Sequence, residues 1–240
     1  MEAHCIRRFQ IKHLNGNVLA VIDTEPTGPD PDKHDIIEVC VLILDRFLKP
    51  AKEFLPFAMS MKPTRLHNID PEALRIQHKR LDAVVKEKLC KDREKMVRQA
   101  VSGFEPDTVA DLFDIWWKKL KLAPFKRIMP LACNWVFDRE FIKRWLGSDA
   151  FNYYFDPRYR DLMSMTLYDN DVADWRGHPF QYPTNNLQYI CTTLGIERTR
   201  SHTALDDCIA TAEAYRRIIQ RTELRDLPKP VEVKADEEAE

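Results

Sequence analysis

The 240-residue sequence predicts a single α/β domain built on a mixed β-sheet flanked by helices. Three observations carry this prediction. Apolar, β-rich runs near 18–24, 36–46 and 51–61 follow one another through short connections, which imply antiparallel neighbours. A later apolar run at 128–133 stands between segments of helical periodicity, the alternation of an α/β sheet. No linker composition interrupts residues 1–226, so one domain is expected there.

Each element has a local reason. Asn15-Gly16 is a tight-turn signal that would join a short strand at 9–13 to the next one. Val18-Leu19-Ala20-Val21-Ile22 is apolar on both faces and reads as a central strand. Gly28-Pro29-Asp30-Pro31 is a loop, and IIEVCVLILDR (36–46) is rich in β-branched residues. Asp70-Pro71-Glu72 has the acid, proline and second acid of a helix start. Residues 77–98 read as a helix with eight basic and four acidic groups. Residues 111–122 form a second amphipathic helix, with Phe113, Trp116 and Leu120 on one side. A helix from 138 to 146 follows the strand at 128–133. A strand is expected at 153–160, an aromatic-bearing loop at 168–186, and helices at 185–194 and 203–221. The tail from 227 has two prolines and ends DEEAE, a composition expected to be disordered.

Composition narrows the class. Apolar residues make up 44% and charged residues 31%, ordinary for a soluble globular protein. The net charge of −1 argues against a protein that coats nucleic acid, so any grip on nucleic acid is local or metal-assisted. The six cysteines include no C-x-x-C pair, which argues against a zinc knuckle. No secretory signal and no run near the ~20 apolar residues of a membrane span are present. The expected setting is cytoplasmic, with reduced thiols and no membrane.

The chemistry starts at DTEPTG, residues 23–28. In a strand, residues i and i+2 share a face, so Asp23 and Glu25 stand roughly 7 Å apart at the backbone. Two buried like charges are costly, and a divalent cation relieves both. A helix cap or a lysine partner would also explain either acid, so the hexapeptide alone leaves both readings open. In LACNWVFDREF (131–141), Asp138 follows a second short strand at a helix start, where an acid also serves as a cap. In SHTALDDCIATAEAYRRII (201–219), Leu205, Cys208, Ile209, Ala212, Tyr215 and Ile219 make a helical apolar face. Thr203 and Asp206 resemble a capping pair, which places His202 in the loop before the helix and Asp207 on its second turn.

Taken in order, these segments resemble the DEDDh family of 3′→5′ exonucleases, within the ribonuclease H-like fold. The matching residues are Asp23-Thr24-Glu25 with Thr27-Gly28, Asn134-Trp135-Val136-Phe137-Asp138, and His202-Thr203-Ala204-Leu205-Asp206-Asp207. The similarity runs over roughly residues 18–220 and includes IIEVCVLILD and the segment from Asn186-Leu187 to Leu194-Gly195-Ile196. It implies that Asp23, Glu25, Asp138 and Asp207 hold two divalent metal ions, Mg²⁺ or Mn²⁺. It also implies that His202 takes the proton of the attacking water, releasing a nucleoside 5′-monophosphate from a 3′ end. The substrate would be single-stranded nucleic acid, DNA favoured over short RNA, with Thr27, Asn134 and Trp135 as candidate substrate contacts. Trp175, Phe180 and Tyr182 are further candidates for stacking on bases. The basic stretch 77–98 and Lys118-Lys119-Lys121 are either strand guides or solvated helix faces.

Two positions depart from the family pattern. Pro26 stands where many relatives have threonine, and its missing N–H cannot contact a substrate. Cys133 stands where many have histidine. The rival of a different class is a catalytically silent binding module, against which the five intact catalytic residues argue. A polymerase or replication partner is not readable from the sequence.

Overall fold

The structure, a computed structural model, describes residues 16–70, 73, 103–198 and 203–221. The sheet has five strands: β1 (Val18–Pro26), β2 (Ile36–Ile43), β3 (Phe57–Ser60), β4 (Ile128–Ala132) and β5 (Arg160–Asp161). Their spatial order is β3-β2-β1-β4-β5. The pairs β1–β2 and β2–β3 are antiparallel, and β1–β4 and β4–β5 are parallel. The mixed sheet is the one the short early connections and later alternation predict.

Helices cover both faces: α1 (Pro106–Lys119), α2 (Trp135–Leu146), α3 (Ser148–Tyr154), α4 (Leu162–Trp175), α5 (Leu187–Thr193) and α6 (Ala204–Arg221). The alternation along β1 explains why its whole run is apolar. Val18, Ala20 and Ile22 enter one core with Phe113 of α1 and Phe141 of α2. Leu19 and Val21 enter the other with Ile190 of α5 and Cys208, Ala212 and Tyr215 of α6. Phe113 centres an aromatic cluster, with ring centroids 5.1 Å from Phe57 and 5.0 Å from Tyr154. No helix among the described residues is long and apolar enough to cross a membrane.

Several elements differ from the sequence reading. The third strand is confined to Phe57–Ser60. The helix expected at 111–122 begins at Pro106, because proline at the first turn costs no hydrogen bond. The strand expected at 153–160 is the end of α3 followed by a two-residue strand. The loop expected at 168–186 is half helix, since α4 runs to Trp175. Its buried stripe, Leu162, Thr166, Asn170 and Ala173, has helical spacing but two polar members, so no apolar period announces it. Thr166 donates its hydroxyl to the carbonyl of Leu162, and Asn170 exchanges two hydrogen bonds with the backbone of Tyr182. The strand at 9–13, the helix at 77–98, most of the Asp70-Pro71-Glu72 helix start and the tail 227–240 lie outside the described residues.

Candidate active site

The end of β1 carries Asp23 and Glu25 on one face, and α6 brings Asp207 to them. Each of the three acids offers an oxygen, and these oxygens lie within 4.8 Å of one another. The helix is set by its own first turn and by β2. Asp206 N–H donates to Thr203 Oγ1 at 3.0 Å, and that hydroxyl donates to Asp206 Oδ2 at 2.7 Å, the expected capping pair. Glu38 lies directly opposite Glu25 in the antiparallel register, and its Oε2 accepts the Ala204 N–H at 3.3 Å. The Cys208 thiol, beside Asp207, donates to the carbonyl of Cys40, the residue opposite Asp23. Strand pairing thus fixes where α6 starts and where Asp207 points.

Asp138 approaches from the other side of β1. It is 3% exposed, on the first turn of α2, and its Oδ1 accepts both the Thr24 N–H at 2.9 Å and the Thr24 hydroxyl at 2.7 Å. Thr24 lies between Asp23 and Glu25 and faces the opposite way. Burial raises the Asp138 pKa to about 7 even though both Thr24 bonds pull it down. Asp23 is pushed well above the usual carboxylate range, first by burial and then by the charges of Asp138, Glu25 and Asp207. The four acids therefore form one electrostatic unit, although only three converge within 4.8 Å. Half-buried carboxylates that converge, repel one another and offer hard oxygens fit a divalent cation such as Mg²⁺ or Mn²⁺.

Two residues without a sequence signal complete the site. Arg198 is 5% exposed along its side chain and pairs with Asp207 through Nη2. Its Nη1 reaches Gln188 Oε1 at 3.2 Å. Asp161 joins two helix starts, accepting the Trp135 N–H on Oδ2 at 2.6 Å and the Met163 N–H on Oδ1 at 2.8 Å. By anchoring Trp135 it places the first turn of α2, and with it Asp138.

The expected substrate contacts divide. Asn134 is exposed at the start of α2 and holds a left-handed backbone, φ 79°, a conformation that asparagine tolerates better than most residues. Trp135 is corrected as a stacking platform: it is 1% exposed and packs on Phe151 and Phe155, so no face is open to a base. Thr27 is also buried; its hydroxyl accepts the Asp35 N–H at 3.0 Å, and its backbone bonds Asp35 and Asp70. Its side chain serves to fold the loop after β1. Asp35 in turn is held by Arg65, Nε to Oδ1 at 2.7 Å. A Cβ at Gly28 would lie 2.4 Å from the His34 ring and would push it from its hydrogen bond with the Asp30 backbone. Tyr182 is buried, while Trp175 and Phe180 are exposed. His202 lies outside the described residues.

Comparisons with known proteins agree with this geometry. A family model described as Exonuclease (RNase_T) matches residues 20–215. The fold is similar to that of the zinc-ion-bound E. coli ExoI–ssDNA complex, with a TM-score of 0.60 and 18% identity, covering 86% of this chain and 41% of that one. It is similar to cell-death related nuclease 4 (CRN-4), with a TM-score of 0.59 and 16% identity, covering 85% and 64%. A 3′-exonuclease solved in recognition of a histone mRNA stem-loop has a TM-score of 0.54 and 15% identity, covering 85% and 64%. The chain thus spans less than two thirds of each of these proteins. A comparison with curated protein sequences gives no match. With the family model spanning the sheet and all four acids, the chain belongs to the exonuclease family.

Proposed function

We propose that this protein is a metal-dependent 3′→5′ exonuclease that releases nucleoside 5′-monophosphates from single-stranded nucleic acid, DNA favoured. The observation that carries the reading is the convergence of Asp23, Glu25 and Asp207, with Asp138 held behind the strand by Thr24. Asp23, Glu25 and Asp207 would hold the metal, and Asp138 would support the site through Asp23. Held by these acids, divalent ions would supply the positive charge that an in-line phosphoryl transfer needs. Asn134, exposed at the start of the helix that carries Asp138, would orient the terminal nucleotide. His202, placed by sequence just before α6, takes the proton from the attacking water. The free thiols of Cys40, Cys133, Cys191 and Cys208 fit a reducing cytoplasm.

An RNA substrate is the second reading, supported by the shared fold of the 3′-exonuclease that recognises a histone mRNA stem-loop. An equimolar mixture of DNA and RNA strands of one sequence, incubated with the protein and Mg²⁺, separates the two. Faster loss of the DNA strand supports the first reading. Faster loss of the RNA strand replaces it with an exoribonuclease. Loss of neither rejects both.

A further inference from the structure

We infer that the loop joining α1 to β4 is a second nucleic-acid-binding surface, in which Lys121, Lys126 and Arg127 hold phosphates and Phe125 stacks on a base. The inference rests on the nuclease reading for its ligand and on the following geometry for its place.

The loop borders an open cleft of about 440 Å³ lined by Lys118, Lys121, Lys126, Arg127, Phe125 and Tyr153 among others, and no carboxylate lines it. Lys118 is paired with Asp114. Lys121, Lys126 and Arg127 make no ion pair among the described residues. In a chain whose net charge is −1, such a cluster is a local excess that selects a polyanion. Phe125 is 98% exposed, and Tyr153 beside it is also exposed. Lys121 and Phe125 both hold left-handed backbones, φ 47° and 62°, which account for two of the four non-glycine residues of that kind among those described. Strained backbone of this kind clusters at sites that contact ligands. An acidic peptide would use the cations alone. Cations beside open aromatic faces match the phosphates and bases of a single strand.

The surface is remote from the acids. Val18 N–H donates to the carbonyl of Arg127 at 3.2 Å, so the loop sits where β1 begins, whereas Asp23 and Glu25 stand near its other end. Glu25 lies seven residue steps along from Val18, about 23 Å of strand. At ~3.4 Å per stacked nucleotide, a strand engaging both places needs about seven nucleotides or more. The acid-rich end repels phosphates until metal arrives, and the distal surface holds the polymer independently of metal.

The test measures the affinity of a 5′-fluorescent 20-nucleotide single strand in EDTA, where no hydrolysis occurs. The proteins are the unaltered chain, Lys121→Ala/Lys126→Ala/Arg127→Ala, and Phe125→Ala. The triple change is expected to weaken binding about tenfold at low salt and to flatten the log–log salt dependence by about 2. Phe125→Ala is expected to weaken binding about fivefold or more. With Mg²⁺, a four-nucleotide strand is expected to be hydrolysed equally by all three. Unchanged affinity in the triple variant overturns the surface. So does a silent Phe125→Ala change with polyglutamate competing as well as the strand, which would make the ligand an acidic polypeptide. Binding without hydrolysis in the unaltered chain would reject the nuclease reading and leave the surface standing. Hydrolysis with unchanged binding in the variants would do the reverse.

Discussion

The Thr24–Asp138 contact gives a prediction with a magnitude and a sign. Thr24→Val removes the hydroxyl that donates to Asp138 Oδ1 at 2.7 Å and keeps the backbone N–H at 2.9 Å. A hydrogen bond to a charged acceptor contributes about 1.5–3 kcal/mol, and one to a neutral acceptor about 0.5–1.5 kcal/mol. The difference, about 1–1.5 kcal/mol, moves the midpoint of Asp138's titration up by about one pH unit. Asp138 already has a folded-state pKa raised to about 7, so the stability it contributes is fully present below pH ~4 and is lost as pH rises through about 7. Thr24→Val enlarges that loss. Urea unfolding in EDTA should show the variant about 1–1.5 kcal/mol more destabilised at pH 9 than at pH 5. A destabilisation equal at the two pH values would refute the reasoning, because the hydroxyl would then not distinguish the ionised carboxylate from the neutral one.

Asp23→Asn relieves repulsion in the metal-free protein, so it should raise Tm in EDTA at pH 8 by about 2 °C or more and abolish the further rise on adding Mg²⁺; a lower Tm in EDTA contradicts it. Glu38→Ala removes the acceptor at the start of α6 and should weaken Mn²⁺ binding about 10-fold or more in a calorimetric titration. Glu38→Gln, which keeps an acceptor, should restore most of it, and equal losses would show that the charge and not the bond matters. Phe113→Ala empties the centre of the aromatic cluster and should cost about 3–5 kcal/mol in urea unfolding, with a cost below about 1 kcal/mol excluding the packing described.

The parts of this molecule that were legible in sequence are those written in apolar period and in acid spacing. The unbroken apolar run of β1 is legible because both faces of the strand are buried. Asp23 and Glu25 share a face by strand geometry alone, and the Thr203–Asp206 pair marks the start of α6. What was not legible depends on contacts distant in sequence. The helix α4 is obscured because Thr166 and Asn170 occupy its buried stripe and are satisfied by backbone partners. Trp135 looks like a site aromatic because it neighbours Asn134, and only the packing of α3 against α2 buries it. Arg198 and Asp161 carry no local signal, since each acts on an element that only folding brings near. Asp138 alone reads equally as a helix cap, and only the family resemblance names it an acid of the site; its hydrogen bonds to Thr24 require β1 and α2 to be placed together.

The most direct test of the central claim is the digestion of a 5′-labelled single-stranded oligomer by the full chain and by Asp207→Ala, each with Mg²⁺ and with EDTA. The unaltered chain with Mg²⁺ should give a ladder shortening one nucleotide at a time from the 3′ end, and the other three reactions should leave the oligomer intact. A ladder that persists in EDTA or in Asp207→Ala, or an oligomer left whole by the unaltered chain with Mg²⁺, would contradict a carboxylate-held metal centre that trims 3′ ends.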